Sequence, residues 1–143
     1  MSSIDTLFRG MRSATSGLRA ERARMDVIAE NLANSQVTST PEGGPYRRKV
    51  VSFEALVSDG PDGNPTVSGV ASARVTRDMT TDFETVNIPG HPDADASGMV
   101  RMPNVNAVSE LADMITAMRA YEANLTSAEG YVRMAQRALE LAR

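Results

Sequence analysis

Apolar residues recur along this chain with two different rhythms. Near the N-terminus, Ile4/Leu7, Met11/Ala14, Leu18/Glu21, Met25/Ile28 and Leu32/Ser35 follow one another with 3-4 spacing. The C-terminal stretch repeats the pattern in Leu111/Met114, Met118/Tyr121, Leu125/Ala128, Val132/Ala135 and Leu139/Ala142. An apolar position about every 3.5 residues keeps one narrow seam on a helix, as in a coiled coil. The spacing predicts helices over 3–36 and 105–142, roughly 50 and 55 Å long. Ser2 or Ser3 can cap the first, with Asp5 in its opening turn. Pro103 and Asn104 mark the start of the second, and Ser109 can cap its more regular part. Arg133, Arg137 and Arg143 place positive charge toward its C-terminal end, where it complements the helix dipole. Gly10 and Gly17 sit seven apart on one flank of the first seam. Either they admit a close neighbour, or they merely loosen the helix by about 1 kcal/mol each relative to alanine.

Between the helices the rhythm changes. Proline and glycine cluster in Pro41-Glu42-Gly43-Gly44-Pro45 and in Asp59-Gly60-Pro61-Asp62-Gly63-Asn64-Pro65, sequences suited to turns with positive φ. Short β-leaning runs cover 46–57, 67–76 and 82–88. So few strands bury little by themselves, so a small antiparallel sheet resting on the helices is expected. The fold class is therefore mainly α: long N- and C-terminal helices form a coiled-coil-like pair, with a small irregular β-rich middle segment. The zones are 1–36, 37–104 and 105–143.

Composition narrows the functions. At 143 residues and net charge −3, the chain has one domain's length and no polyelectrolyte character for nucleic acid or a membrane surface. It has no cysteine, which rules out disulfides, thiolate catalysis and zinc-thiolate sites. Nine methionines and 4% aromatics give a soft, thin core. No run approaches the ~18 apolar residues of a membrane span. Arg9, Arg12, Arg19, Glu21, Arg22 and Arg24 interrupt any apolar signal core, so export without a cleaved signal peptide is expected.

Catalytic groups are sparse. The single histidine, His91, lies in Pro89-Gly90-His91-Pro92 and reads as a loop residue, so no Ser/His/Asp set can be built without it. Asp93-Ala94-Asp95-Ala96-Ser97-Gly98 matches the opening of a calcium loop, but Asn104 stands where a closing glutamate belongs. An acidic turn leading into a short extended segment explains it better. Asp78 and Asp82 lack any sign of a pocket. Arg47-Arg48-Lys49 is a basic triplet with little aromatic interleaving, better suited to a solvated face or to acids on a partner than to nucleic acid. Neither an enzyme nor a cofactor is indicated.

Four ordered segments resemble a known family. Residues 14–34, from Ala14-Thr15-Ser16-Gly17-Leu18 to Asn31-Leu32-Ala33-Asn34, are similar to the N-terminal signature of flagellar basal-body rod proteins. Gly43-Gly44-Pro45-Tyr46-Arg47-Arg48-Lys49, the 89–106 stretch and Met118-Arg119-Ala120-Tyr121-Glu122-Ala123-Asn124 resemble the C-type proximal-rod branch of that family. The chain departs from that branch at Val86-Asn87-Ile88 and at Met99.

The resemblance implies a structural subunit that leaves through the flagellar type III export apparatus. It would polymerise with copies of itself and other rod subunits in the periplasm-spanning rod of the basal body, forming part of the drive shaft around the export channel. Met11, Leu18, Met25, Ile28, Leu32, Leu111, Met114, Met118, Tyr121, Leu125, Val132 and Leu139 would then form the assembly interface. Asn31 and Asn34 would join them by closing the first helix. Tyr46, Arg47, Arg48, His91 and Asn104 would meet neighbouring subunits through the middle segment. The competing readings are a cytoplasmic helical interaction module or export adaptor, and a calcium-binding or hydrolytic protein.

Overall fold

The computed structural model describes residues 3–59 and 64–141. The possible cap at Ser2, residues 60–63 of the second turn, the Ile4 side chain, and the expected seam and charge positions Ala142 and Arg143 lie outside the described residues. The elements run α1 (Ser3–Ala33), β1 (Lys49–Asp59), β2 (Pro65–Arg77), β3 (Thr85–Asn87), β4 (Met99–Arg101) and α2 (Ala107–Leu141). The chain is thus two long helices around a β-containing middle, as the seams predict. β1 and β2 form one two-stranded sheet, β3 and β4 another. β4 is an element the sequence marked only as a short extended segment after the acidic turn. It pairs antiparallel with β3, Val86 facing Val100.

Both helix ends differ from expectation for local reasons. α1 stops three residues early because side chains take over its last carbonyls. The Asn34 amide donates to the Glu30 carbonyl and the Ser35 hydroxyl to that of Leu32, each at 2.8 Å. α2 is capped by Asn106 rather than Ser109: the Asn106 side-chain oxygen accepts from the backbone N–H groups of Val108 and Ser109 at 3.0 and 3.1 Å. Between the helices, Gly43 and Gly44 turn the chain with φ of 93° and 74°, as their sequence context predicts.

Contacts divide the chain into two compact units, each built from pieces of both helices and of the β1–β2 hairpin. The first comprises Met1–Met25, Ser52–Arg74 and Thr116–Arg143. Here α1 and α2 run antiparallel, with Gly10 under the Tyr131 ring and Gly17 against the Asn124 amide. A Cβ on Gly10 would lie 2.3 Å from that ring and one on Gly17 2.9 Å from that amide. The glycines are sockets for two large side chains seven residues apart. Ala14, Ala20 and Ala117 complete a core of small residues. The hairpin rests on α1 where Gly69, at φ 152°, would drive a Cβ to 2.5 Å from the Ser16 hydroxyl. That hydroxyl accepts from the Val70 N–H at 3.0 Å, and Arg9 donates to the Thr66 hydroxyl at 3.1 Å.

The second unit comprises Asp26–Val51 and Val75–Ile115. Val27, Ile28 and Val100 supply its apolar core, and Tyr46 is buried with them. Three polar residues, Asn31, Asn104 and Glu110, are buried there too. They organise the unit.

Candidate assembly interface

On α2 the inward face is not the one that hydropathy selects. Within the first unit Ala117 is buried, and Tyr121, Asn124, Ala128, Tyr131 and Ala135 are half-buried. The larger apolar residues Met118, Leu125, Val132 and Leu139 lie one position further along and are exposed, at 42–70%. Each follows the last by seven residues, so they form one line on the helix. In the second unit Leu111, with Val108 and Ile115 beside it, is likewise exposed, while Met114 is half-buried. The expected α2 seam is thus split: Met114 and Tyr121 are partly covered by the chain itself, whereas Leu111, Met118, Leu125, Val132 and Leu139 face out. On α1, Ile28 is buried, and Met11, Leu18, Met25, Leu32 and Asn34 are half-buried.

Unpartnered apolar side chains need a scaffold that holds them still, and in the second unit a polar network supplies it. Asn31 is 1% exposed and uses its whole hydrogen-bonding capacity. Its amide donates to the Lys49 carbonyl at 2.8 Å and to Glu110 Oε2 at 3.1 Å. Its oxygen accepts from the Lys49 N–H at 2.9 Å and the Tyr46 hydroxyl at 3.0 Å. Glu110 is fully buried; its other oxygen accepts from Arg48 Nε at 2.6 Å. A buried carboxylate without such a partner would be strongly destabilising. Arg48 also lies 3.6 Å from Asp113.

Asn104 holds the neighbouring backbone in the same manner. Its oxygen accepts from the Arg48 N–H at 2.7 Å, and its amide donates to the carbonyls of Thr81 and Asp78 at 3.0 and 3.3 Å. Two buried asparagines therefore clamp consecutive residues at the start of β1. Asn31 thus serves strand backbone and α2 instead of loose helix carbonyls, a task that falls to Asn34 and Ser35.

Burial sets the proton affinity of Tyr46, and hydrogen bonds set that of Asp78. Desolvation, then the charges of Glu30 and Glu110, push the Tyr46 hydroxyl up to about 12, with Arg77 opposing them. Asp78 moves the other way. The hydroxyls and backbone N–H groups of Thr80 and Thr81 donate to its carboxylate and hold it well below the usual carboxylate range.

The basic triplet separates into three environments. Lys49 pairs with Glu30, and Arg48 with Glu110. Arg47 donates to the Asp78 carbonyl and lies 4.1 Å over the Phe83 ring, with Arg101 also on that ring at 4.9 Å. His91 stands apart, its Nδ1 accepting from the Asp93 N–H at 3.1 Å within its loop. Asp95 accepts from the Ser97 and Met99 N–H groups and closes the acidic turn. Tyr46, Arg48, Asn31 and Asn104 are thus brought together, while Arg47 and His91 are not part of that cluster.

Glu110 is the central residue that sequence reasoning overlooked. Its one visible signal is its place four residues before Met114, on the repeat that continues through Ala117 and Tyr121.

The chain as a whole is similar to known flagellar rod proteins. The family described as flagella basal body rod protein matches residues 11–39. The C-terminal family of flagellar basal body rod FlgEFG proteins matches residues 96–141. The flagellar basal-body rod protein FlgC of Borreliella burgdorferi is 41% identical over 84% of this chain and 87% of its own length. That of Bacillus subtilis is 36% identical over 95% of this chain and 98% of its own. The Salmonella typhimurium protein of the same name is 39% identical over 78% of this chain and 80% of its own.

Proposed function

The chain belongs to the flagellar basal-body rod protein family, and we propose that it works as a structural subunit of the proximal rod, polymerising through its terminal helices around the export channel. Its role is mechanical, not enzymatic. It takes its place in the basal body among other rod subunits and copies of itself. It reaches the periplasm through the flagellar type III export apparatus. Residues 1–36 and 105–143 act as the joining helices, and 37–104 as the segment that sets their placement.

One observation carries the assembly reading: the line of Met118, Leu125, Val132 and Leu139 on the outer face of α2. Large apolar side chains repeated on one face mark a docking surface when nothing in the same chain covers them. Heptad spacing suits another helix as the cover. Met11, Leu18, Met25, Leu32, Met114 and Tyr121 contribute from the flanks of the pair, while the buried Ile28 supports them from the core. Tyr46, Arg48, Asn31 and Asn104 act from inside by fixing the helices, while Arg47 and His91 remain available to neighbours.

The test is a strain whose only copy carries Leu125→Asp. Because Leu125 is already 42% exposed, the change should move folding stability by only about 0.5 kcal/mol. The expected result is normal protein level, no rods in purified basal bodies and no swimming. Normal motility overturns the reading.

A further inference from the structure

The second unit carries a groove of about 580 Å³ at the turn 40–45, lined also by Phe83 and by four cationic side chains. Two of these are neutralised within the chain, Lys49 by Glu30 and Arg77 by Glu42. The other two, Arg47 and Arg101, lie over the Phe83 ring and have no carboxylate partner among the described residues. The ring holds both guanidiniums; Arg47 spends one N–H on the Asp78 carbonyl, and the remaining donors of the pair can receive a carboxylate. The acids already in the lining, Glu30 and Glu42, disfavour a densely charged polyanion and favour a ligand with one or two carboxylates.

This chain has its own candidate for that ligand. Exposure alternates across 82–84: Asp82 exposed, Phe83 half-buried, Glu84 exposed, as in an extended segment. The Asp82 and Glu84 carboxylates have no partner among the described residues. One short segment thus contributes the aromatic floor of a basic groove and, at its two flanking positions, a free acidic pair. A molecule bearing two different, mutually complementary patches joins its copies head to tail, in an interface that need not close.

We propose that the groove at Arg47 and Arg101 receives the Asp82/Glu84 edge of a second copy of this chain. The inference rests on the subunit reading above and adds to it a polar contact between copies, separate from the apolar line on α2.

The absence of cysteine allows a direct test. Full-length chains carrying Met79→Cys, beside the groove, are mixed with chains carrying Thr85→Cys, beside the acidic edge, and oxidised. The 79–85 heterodimer should form and should fall about tenfold in 0.5 M salt, as contacts between exposed charges do. Arg101→Glu in the Met79→Cys chain should lower its yield about as much, and Glu84→Arg in the opposing chain should restore it.

Restoration by the swapped charges excludes misfolding as the cause. A heterodimer that forms regardless of Arg101→Glu, or one that the swap fails to restore, overturns the proposal. So does a missing heterodimer in chains whose groove still binds a short peptide carrying two carboxylates, which would give the groove to a different protein. Loss of this contact with the Leu125→Asp phenotype intact would leave the subunit reading standing.

Discussion

The first unit joins α1 to α2 by size, the second by polarity. In the first, Gly10 and Gly17 receive Tyr131 and Asn124, and alanines fill the remainder. In the second, Asn31 on α1 meets Glu110 on α2 through a hydrogen bond at 3.1 Å, inside a network that also binds Tyr46, Arg48 and the β1 backbone. A size-matched joint is specified by steric exclusion: the wrong side chain does not fit. A polar joint is specified by unmet valence, because a displaced partner leaves buried donors and acceptors empty. The first leaves the large apolar residues of its own stretch of α2 free to face outward, and the second holds Glu110 inward beside the exposed Leu111.

The sharpest way to break this contrast is Asn31→Ala. It strands the Tyr46 hydroxyl, both backbone groups of Lys49 and one oxygen of Glu110, and should cost about 2–4 kcal/mol in urea denaturation followed by circular dichroism. Gly10→Ala attacks the other joint. The added methyl collides with Tyr131, and the expected loss of about 1–3 kcal/mol outweighs the helix propensity that alanine brings. Tyr131→Ala in the same chain should recover part of it, a coupling that a double-mutant cycle measures.

The alkaline limb of stability sharpens the comparison further. Tyr46 ionises near 10 when unfolded but is pushed up to about 12 in the fold, so the folded state keeps its proton longer. Between those values stability falls as pH rises, by up to about 3 kcal/mol. Tyr46→Phe should flatten that limb while costing about 1 kcal/mol at neutral pH for the lost bond to Asn31. The smallest effect is expected at Gly130, where a Cβ meets nothing within 4 Å. Gly130→Ala should stabilise α2 by about 0.5–1 kcal/mol, opposite in sign to the same change at Gly10, in a thermal melt.

Much of this was readable from the residues alone. Period gave both helices, and the Pro-Gly clusters gave the turn at 41–45. The phase of α2 was not readable in the same way. Two repeats offset by one residue compete there, Leu111-Met118-Leu125-Val132 and Glu110-Ala117-Asn124-Tyr131, and hydropathy favours the first. The fold turns the second inward, because Gly10 and Gly17 leave room for Tyr131 and Asn124, and Asn31 offers Glu110 a donor. Those reasons lie on α1, more than a hundred residues away for Gly10, so no window on α2 contains them. The polar cluster was hidden likewise. Asn31, Tyr46, Arg48 and Asn104 stood out singly through family likeness, but their meeting depends on tertiary placement. Glu110 carries no such likeness, and beyond its place on the inward repeat nothing near it in the sequence marks an acid that is buried.

The four-fold saturation of the Asn31 amide has a meaning beyond energy. A seam of alanine and glycine looks much the same after a slip of one heptad, so by itself it is an ambiguous ruler. A side chain whose two donors and two acceptor positions belong to a single strand residue, one tyrosine and one glutamate has a single solution. It acts as an index mark: the pairing is right when all four bonds close, and a slipped pairing forfeits them together. Every copy stamped with the same mark pairs α1 with α2 in the second unit in one register, and that uniformity is what a repeating lattice requires of its parts.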